Sequence, residues 1–341
     1  MVKRALRGSG TRLIGPNCMG VLNTDSGVLL NASFAEQVPL DGRVSIASQS
    51  GGVGLALLQL AAAKRVGISS FVSLGNKADV SCNDLLQYWE EDVRTKVILL
   101  YLESFGNPRR FARIARRVGH HKPIVALKAG RTRAGLRAAS SHTAALAASD
   151  VAVDALFHQT GVIRAETIDE MFDLAAALDA QPLPKGRRVA ILTNAGGLGI
   201  LCADSCEANG LIVEPLQEKS MNRLRQFLPA TASVGIPVDM TGSAGADEFR
   251  QAVEILLSAD EIDSLVVLTV DVGLADMAAV ASGIYTGVIG ARALHAAGKT
   301  VLTCLMDERL GHKPISADNE RLPNYAFPEN AARVLGKLAH Y

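Results

Sequence analysis

The chain has 341 residues, enough for two domains with buried cores, and 48% of them are hydrophobic while 4% are aromatic. A formal net charge of +1 gives no global field that would attract nucleic acid or an anionic membrane. The five cysteines lack zinc-type spacing, no secretory signal is visible, and the longest apolar runs have the length of strands. We therefore predict no metal site, no nucleic-acid or membrane partner, and a cytoplasmic location.

Residues 1–42 have the character of a fragment. Leu13 to Leu22 forms a short strand pattern that a Gly-Pro turn interrupts, and the rest is polar and irregular. A piece of this size with one good strand does not close a core alone. We expect it to pack on its neighbour or to be the end of another domain.

Strand and helix patterns alternate through residues 43–181. Apolar runs predict strands at Val44–Ala47, Ile68–Ser73, Val97–Leu102 and Ile124–Leu127. Helical periodicity predicts helices at Gly54–Arg65, Asn83–Asp92, Pro108–Val118 and Ser149–Thr160, and another from Thr167. Strands separated by helices pair in parallel through right-handed crossovers, so this region is a predicted α/β domain.

The alternation resumes after a linker at 182–187, which is rich in proline and glycine. In residues 188–341 the predicted strands are Val189–Thr193, Ile212–Val213, Ser264–Val270 and Val301–Leu305. The predicted helices are Gly199–Ala208, Glu218–Phe227, Asp247–Ser258 and Gly287–Ala297, with a last helix near Pro328. The predicted fold class is thus α/β, with two doubly wound parallel-sheet domains.

One strand–turn–helix motif occurs twice, at a constant offset along the chain. Such a turn leaves backbone N–H groups free at a helix N-terminus, where the helix dipole favours an anion. A tight strand–helix turn without any ligand is the structural alternative. The predicted phosphate-binding residues of the two turns are Ser48, Gln49, Ser50, Gly51, Gly52, Asn194, Ala195, Gly196 and Gly197.

A basic, glycine-containing segment from Lys128 to Thr143 follows the fourth predicted strand and shows no helical period, so we predict a loop. Its cations would attract a ligand that carries phosphate. Its histidine, His142, is a candidate nucleophile, because neutral imidazole has a free lone pair. The segment by itself favours the alternative of an ordinary surface histidine.

Glu103 is the candidate partner of that histidine. It directly follows the predicted strand Val97–Leu102, at the same end of the sheet. A nucleophilic histidine needs its second nitrogen oriented, usually by a carboxylate. A solvated carboxylate at the edge of the sheet is the alternative.

Ser50 allows a different function, because a serine on a strand-to-helix turn is also the geometry of a hydrolase nucleophile. The second turn has Ala195 at the corresponding position, which argues against this interpretation. A module that binds CoA or acyl phosphate without catalysis is a further alternative.

Four motifs in order closely resemble the NDP-forming acyl-CoA synthetases, the family of succinyl-CoA synthetase and ADP-forming acetate–CoA ligase. They are Ser48–Gly52, Ser73–Asp79, Tyr101–Phe105 and Ser140–Ala144. The resemblance covers essentially the whole chain. It implies flavodoxin-like (succinyl-CoA synthetase-like) domains at 43–181 and 188–341, and 1–42 as the C-terminal remnant of a Rossmann-like CoA-binding domain.

The resemblance also implies a reaction and a role for each matching residue. The family interconverts acyl-CoA, phosphate and ADP with acid, CoA and ATP through an acyl phosphate and a phosphohistidine. His142 matches the histidine that is phosphorylated, Glu103 matches the acid that orients it, and both glycine turns match the helix N-termini that grip it. The implied contacts to CoA or substrate are Pro16, Asn17, Cys18, Gly75 and Asn76.

These 341 residues differ from a complete family member. They contain only the end of the CoA-binding domain, and they contain no ATP-grasp sequence to bind ATP or ADP with Mg. The second domain has Ile236-Pro237-Val238-Asp239 where the family tends to have Asn-Pro-Val-Asp. We expect a truncated reading frame, a subunit that needs an ATP-grasp partner, or a chain that only binds ligands, and we expect it to form a homodimer.

Overall fold

The computed structural model describes residues 8–36, 38–142, 149–294, 298–307, 313–317 and 320–341, together with Arg4 and Leu6. The chain divides into two compact units, Met1–Ala175 and Ala176–Tyr341. Each unit has its own sheet and its own buried core. Both units combine helices with parallel strands, which confirms the predicted α/β fold class.

Unit 1 is built on a seven-stranded sheet with the order β2-β1-β4-β3-β5-β6-β7. Its strands are β1 (Gly20–Asn23), β2 (Leu30–Ser33), β3 (Asp41–Ser48), β4 (Ile68–Ser73), β5 (Val97–Leu102), β6 (Ile124–Lys128) and β7 (Ile163–Ala165). Strands β3 to β7 are parallel, and their apolar residues are buried, as strands covered on both faces require.

The N-terminal residues add two antiparallel strands to this sheet. Strand β1 pairs with β4, with Leu22 opposite Phe71, and β2 pairs with β1. The sequence indicated one interrupted strand here and missed β2, whose residues are mostly exposed and therefore lack an apolar pattern. Strands β1 and β2 thus extend the sheet of unit 1 instead of forming a core of their own.

The helices of unit 1 connect its strands. They are α1 (Gly51–Ala63), α2 (Cys82–Glu91), α3 (Pro108–Gly119), α4 (Arg133–His142), α5 (Asp150–Thr160) and α6 (Ile168–Ala180), the last of which continues into unit 2. One core contains three aromatic rings in contact, with the centroids of Phe105 and Phe111 4.9 Å apart and those of Phe105 and Phe157 5.8 Å apart. This core anchors the chain just after the predicted Glu103.

The predicted loop from Lys128 to Thr143 was wrong, because Arg133–His142 is helix α4. Thr132 begins this helix: its hydroxyl accepts a hydrogen bond from the N–H of Gly135 at 3.1 Å, and its carbonyl accepts one from Leu136. Arginine and alanine have high helix propensity, which favours a helix even without an apolar stripe. The absence of a hydrophobic period therefore misled the prediction.

Unit 2 has a four-stranded parallel sheet in the order β11-β10-β8-β9, together with a small hairpin. Its strands are β8 (Val189–Thr193), β9 (Val238–Asp239), β10 (Ser264–Val270), β11 (Thr300–Met306), β12 (Ile315–Ala317) and β13 (Glu320–Leu322). Its helices are α7 (Gly196–Ala208), α8 (Glu218–Arg225), α9 (Ala246–Ser258), α10 (Met277–Leu294) and α11 (Pro328–His340).

Some predicted bounds were wrong in both units. Ile212 forms an isolated bridge with Arg188 and no strand, while the two-residue strand β9 was missed. Helices α1 and α7 begin three residues earlier than predicted, because the glycines of the turns belong to their first turns.

Helix α10 is the one helix in the described part of the chain that is long and apolar enough to cross a membrane, by length and composition only. Eight of its residues are buried in unit 2. It lies close against α9, because a Cβ at Gly283 would be 2.2 Å from the carbonyl oxygen of Ala246. Its apolar composition thus serves helix packing inside unit 2.

Candidate functional site

Three loops of unit 1 meet at the carboxyl end of its central strands. Ser48, the last residue of β3, pairs with Ser73 at the end of β4 and with Tyr101 near the end of β5. The loops that follow these strands therefore start side by side. Ligands of doubly wound sheets bind at this end of the strands.

The loop after β3 is a tight turn that opens helix α1. The Ser48 hydroxyl donates to the carbonyl of Ser50 at 2.6 Å, which closes the turn. The Ser50 hydroxyl accepts a hydrogen bond from the N–H of Val53 at 3.3 Å and thereby caps the helix. The N–H groups of Gly51 and Gly52 have no acceptor among the described residues, so they are available to an anion.

The turn at the start of α7 in unit 2 repeats these bonds. Thr193 takes the place of Ser48, and its hydroxyl donates to the carbonyl of Ala195 at 3.1 Å. Ala195 precedes α7 as Ser50 precedes α1, but it has no side chain to cap the helix. The sequence repeat is thus a repeat of backbone geometry as well.

The residues before the glycines hold the neighbouring strand ends. The Gln49 side chain accepts hydrogen bonds from the N–H groups of Glu103 and Ser104 at 2.8 and 2.9 Å. The Asn194 side chain accepts one from the N–H of Val270 and donates one to its carbonyl, both at 3.0 Å. These two side chains brace loops, so any contact with phosphate at these positions would come from the backbone.

Asp239 distinguishes the second turn from the first. A Cβ at Gly196 would lie 2.7 Å from one carboxylate oxygen of Asp239, so this side chain packs against the first glycine of the turn. The other oxygen accepts a hydrogen bond from the N–H of Thr241 at 2.9 Å. A negative charge therefore lies beside the N-terminus of α7.

A cavity of about 460 Å³ opens at the N-terminus of α1. It brings together nine of the predicted site residues of unit 1, from the turn, the two other loops and the N-terminal segment. They are Asn17, Cys18, Gln49, Ser50, Gly51, Gly52, Gly75, Asn76 and Glu103. The sequence did not indicate the apolar residues that complete the lining, which are Met19, Phe34 and Leu55.

The loop after β4 is held at this cavity by contacts with the N-terminal segment. Gly75 has a φ of +50°, and a Cβ there would lie 2.3 Å from the carbonyl oxygens of both Pro16 and Asn17. The N–H of Asn76 donates to the Pro16 carbonyl at 2.9 Å. Pro16 does not line the cavity but positions this loop through its backbone.

Glu103 lines the cavity, and its carboxylate makes no hydrogen bond or ion pair with any described residue. Two lysines lie within electrostatic range of it. Burial lowers the pKa of Lys77 and of Lys128 below the ordinary lysine value, and the charge of Glu103 opposes this effect in both. The carboxylate is therefore available to a donor such as an imidazole N–H.

His142 is the last residue of α4, but its side chain lies outside the described part of the structure, as do those of Ser140 and Ser141 and all of Thr143 and Ala144. An ionic cluster holds both ends of the segment that carries it. Arg131 before α4 pairs with Glu166 and, at 3.7 Å, with Asp150 at the start of α5.

Comparison with known proteins gives consistent similarities in both units. Residues 41–178 match the family described as succinyl-CoA ligase like flavodoxin domain, and residues 189–328 match the ligase-CoA domain. Over 324 residues the chain is 40% identical to the alpha subunit of ADP-forming acetate–CoA ligase II from Pyrococcus furiosus. That match covers 95% of this chain and 70% of the subunit.

Two further relatives extend the comparison. The chain is 33% identical over 340 residues to the ADP-forming 4-hydroxybutyrate–CoA ligase of Nitrosopumilus maritimus, covering 97% of this chain and 47% of that protein. Its fold matches the dinucleotide-forming acetyl-coenzyme A synthetase 1 of Ca. Korarchaeum cryptofilum, solved with phosphate and ADP. That match has a TM-score of 0.88 and 34% identity, and it covers 97% of this chain and 71% of the other. The chain thus spans about two thirds of some relatives and about half of others.

Proposed function

The chain belongs to the NDP-forming acyl-CoA synthetase family, and we propose that it acts as the subunit in which phosphate displaces CoA from an acyl-CoA to give an acyl phosphate. The reaction is the conversion of acyl-CoA, phosphate and ADP to acid, CoA and ATP, or its reverse. CoA and phosphate are the ligands of this chain in the proposal.

Two chemical steps fall to this chain. A phosphate oxygen attacks the thioester carbon, the C–S bond breaks, and CoA leaves as the thiol after taking a proton. A nitrogen of His142 then attacks phosphorus, the P–O bond to the acyl group breaks, and the acid leaves as carboxylate. In this scheme Glu103 accepts the N–H of the imidazole and so orients it.

The observation that carries the proposal is the cavity at the N-terminus of α1. It combines free N–H groups on Gly51 and Gly52, which suit phosphate, with the free carboxylate of Glu103. Asn17, Gly75 and Asn76 line the same cavity and would contact CoA or the acyl group. The turn at Asn194–Gly197 remains a predicted phosphate contact.

The test is covalent labelling of the purified chain with acetyl-CoA and radioactive phosphate. We expect up to one phosphate per chain, labile in acid and stable in alkali, as a phosphohistidine is. His142→Ala should abolish the label, and Glu103→Gln should slow its formation by up to about 10⁴-fold, the effect of losing a carboxylate that orients a catalytic imidazole. His120→Ala is the matched control, because His120 caps α3 at the opposite end of the strands.

The labelling experiment and a separate fluorophosphonate probe address the two alternatives. A module that only binds ligands would bind acetyl-CoA but acquire no label on His142. A hydrolase that uses Ser50 would react with a fluorophosphonate. We expect no such reaction, because the hydroxyl of Ser50 serves as the cap of α1. Label that survives His142→Ala would contradict the proposal.

Partners and substrates are further parts of the proposal. The relative from Pyrococcus furiosus is called an alpha subunit, which supports a second, ATP-grasp subunit that binds ADP or ATP with Mg. Relatives named for acetate and for 4-hydroxybutyrate leave the acyl group open. We also keep the predicted homodimer, which exposed apolar side chains such as Val28, Leu29 and Phe34 support.

A further inference from the structure

The loop that carries Glu103 is held by side chains from both neighbouring loops. Gln49 accepts hydrogen bonds from the N–H groups of Glu103 and Ser104 and donates to the Ser104 carbonyl at 2.7 Å. From the loop after β4, the ammonium of Lys77 donates to the same carbonyl at 3.1 Å and to the Ser104 hydroxyl at 2.7 Å. The residue after Ser104, Phe105, is anchored in the aromatic core. The peptide beside Glu103 is therefore fixed from three directions.

The backbone of Lys77 is itself held in an unusual conformation. Its φ is +51°, a region that residues other than glycine adopt only when their surroundings hold them there. Its N–H donates to the Leu74 carbonyl at 3.1 Å, and the next N–H, that of Ala78, donates to the Gly15 carbonyl at 2.9 Å. The loop thus directs a lysine, usually an exposed residue, toward Ser104.

The titratable groups that face the Lys77 ammonium come from three elements. Glu103 follows β5, Cys82 begins α2, and the second cation Lys128 ends β6. Burial lowers the pKa of Lys77, and the interactions with Cys82 and Glu103 raise it. Placing a desolvated cation here is costly, and a neutral amide is sufficient for a structural brace, as Asn194 demonstrates in unit 2.

Unit 2 provides an internal comparison. Its turn and its amide brace repeat those of unit 1, and β9 neighbours β8 as β4 neighbours β3. The loop after β9, residues 240–245, contains no lysine. A lysine is therefore found in the unit whose braced loop carries Glu103 at a cavity. Residues 240–245 of unit 2, which shares only the turn and the amide brace, have none.

We propose that Lys77 is a positioning residue, whose ammonium fixes the carbonyl and hydroxyl of Ser104 so that the neighbouring Glu103 carboxylate is held toward the cavity at the N-terminus of α1. This inference rests on the proposed function, in which Glu103 orients the phosphorylated histidine. Lys77 does not line the cavity and acts through Glu103.

The experiment measures the rate at which acetyl phosphate phosphorylates His142 in the full chain under single-turnover conditions. Lys77→Met should lower the maximal rate by about 10- to 100-fold, the range for groups that orient a reactive side chain, with little change in half-saturation. Lys77→Arg keeps the charge and the donors and should retain most of the rate. In a Glu103→Gln background, Lys77→Met should cause no further loss of rate, because both changes act on the same contact between the Glu103 carboxylate and the imidazole.

Two further measurements separate positioning from structural support. Lys122→Met is the matched control: the Lys122 ammonium donates to the carbonyls of Trp89 and Asp92, both at 2.6 Å, before β6 begins. It should leave the rate within about twofold of the unmodified chain. The rate of the unmodified chain should also fall at alkaline pH as Lys77 loses its proton, and Lys77→Arg should remove that fall because arginine stays charged.

Different outcomes would overturn the role of Lys77 and the proposed function of the chain. Additive losses in the double variant, or an equal loss in Lys122→Met, would overturn the role of Lys77 while leaving the proposed function intact. An unmodified chain that acquires no label, or a label that survives His142→Ala, would overturn the proposed function and this inference with it.

Discussion

Gln49 and Asn194 occupy corresponding positions in the two turns, and their amide groups perform the same task. Each bonds to backbone groups at the end of the next strand, Gln49 to the loop after β5 and Asn194 to the end of β10. A buried amide satisfies both a donor and an acceptor of a peptide, which water would otherwise have to do. The side chains of Gln49 and Asn194 therefore stabilise the chain next to the two turns.

Gly75 is the residue at which backbone conformation and close approach combine. Gly75→Ala should reduce the free energy of unfolding by at least about 2 kcal/mol, since it adds a left-handed alanine and a contact with two carbonyl oxygens. Gly161→Ala is the control, because Gly161 has a φ of +68° but open space around a Cβ. It should cost only about 1 kcal/mol in urea denaturation. Equal losses would contradict a steric role for Pro16 and Asn17.

The two helices that follow the glycine turns, α1 and α7, differ in their N-terminal caps, and substitutions can exchange the two cap residues. Ser50→Ala should reduce the free energy of unfolding by about 1 kcal/mol, because the N–H of Val53 loses its acceptor. Ala195→Ser should increase it by up to about 1 kcal/mol, because α7 lacks a side-chain cap. Urea denaturation measures both. A stabilising Ser50→Ala would show that the hydroxyl does not cap α1.

The start of β8 carries a charge pair that predicts a pH dependence. Asp263 accepts hydrogen bonds from the Arg188 guanidinium at 2.7 and 3.0 Å, and this pairing holds the pKa of Asp263 below its usual range. A lowered native pKa stabilises the fold above the unfolded pKa of about 3.9, and that stability is lost as the pH falls through the native value.

Asp263→Asn should therefore destabilise the chain by about 1–2 kcal/mol at pH 7, as expected for hydrogen bonds to a charged group. Its difference from the unmodified chain should shrink below about pH 4, where the carboxylate becomes protonated. Urea denaturation at a series of pH values measures this. Asp247→Asn, which breaks the exposed pair with Arg250 on α9, should have a smaller effect. A difference that grows toward low pH would contradict the assignment.

At the scale of elements, the sequence was informative where the signal is local. Buried strands such as β5 and β10 are continuous apolar runs, and the repeated turns share their glycines, so both were predicted. Helix α4 was missed because its signal is a cap at Thr132 and not a stripe. The bond from Lys77 to Ser104 joins loops 27 residues apart, which no local pattern reports.

The exposed apolar side chains of the N-terminal segment predict self-association of the whole chain. Val28, Leu29, Leu30, Phe34, Val38 and Leu40 are large apolar residues of the N-terminal segment that are exposed in the structure. Covering these side chains removes apolar area from water and favours association. We expect light scattering to give a dimer whose fraction increases with concentration. Phe34→Ser should lower that fraction, and a monomer at all concentrations would contradict the prediction.

The proposed reaction divides at the phosphohistidine. Attack of phosphate on an acyl-CoA and transfer to His142 need the cavity of unit 1, whereas transfer to ADP needs a nucleotide site. With acetyl-CoA, phosphate, ADP and Mg, the chain should therefore gain at most one phosphate and form no ATP. Adding the ATP-grasp subunit of a related ligase should convert this single event into turnover, measured as ATP by luminescence. The His142→Ala chain with the same subunit is the control, and ATP formed by the chain alone would contradict the division.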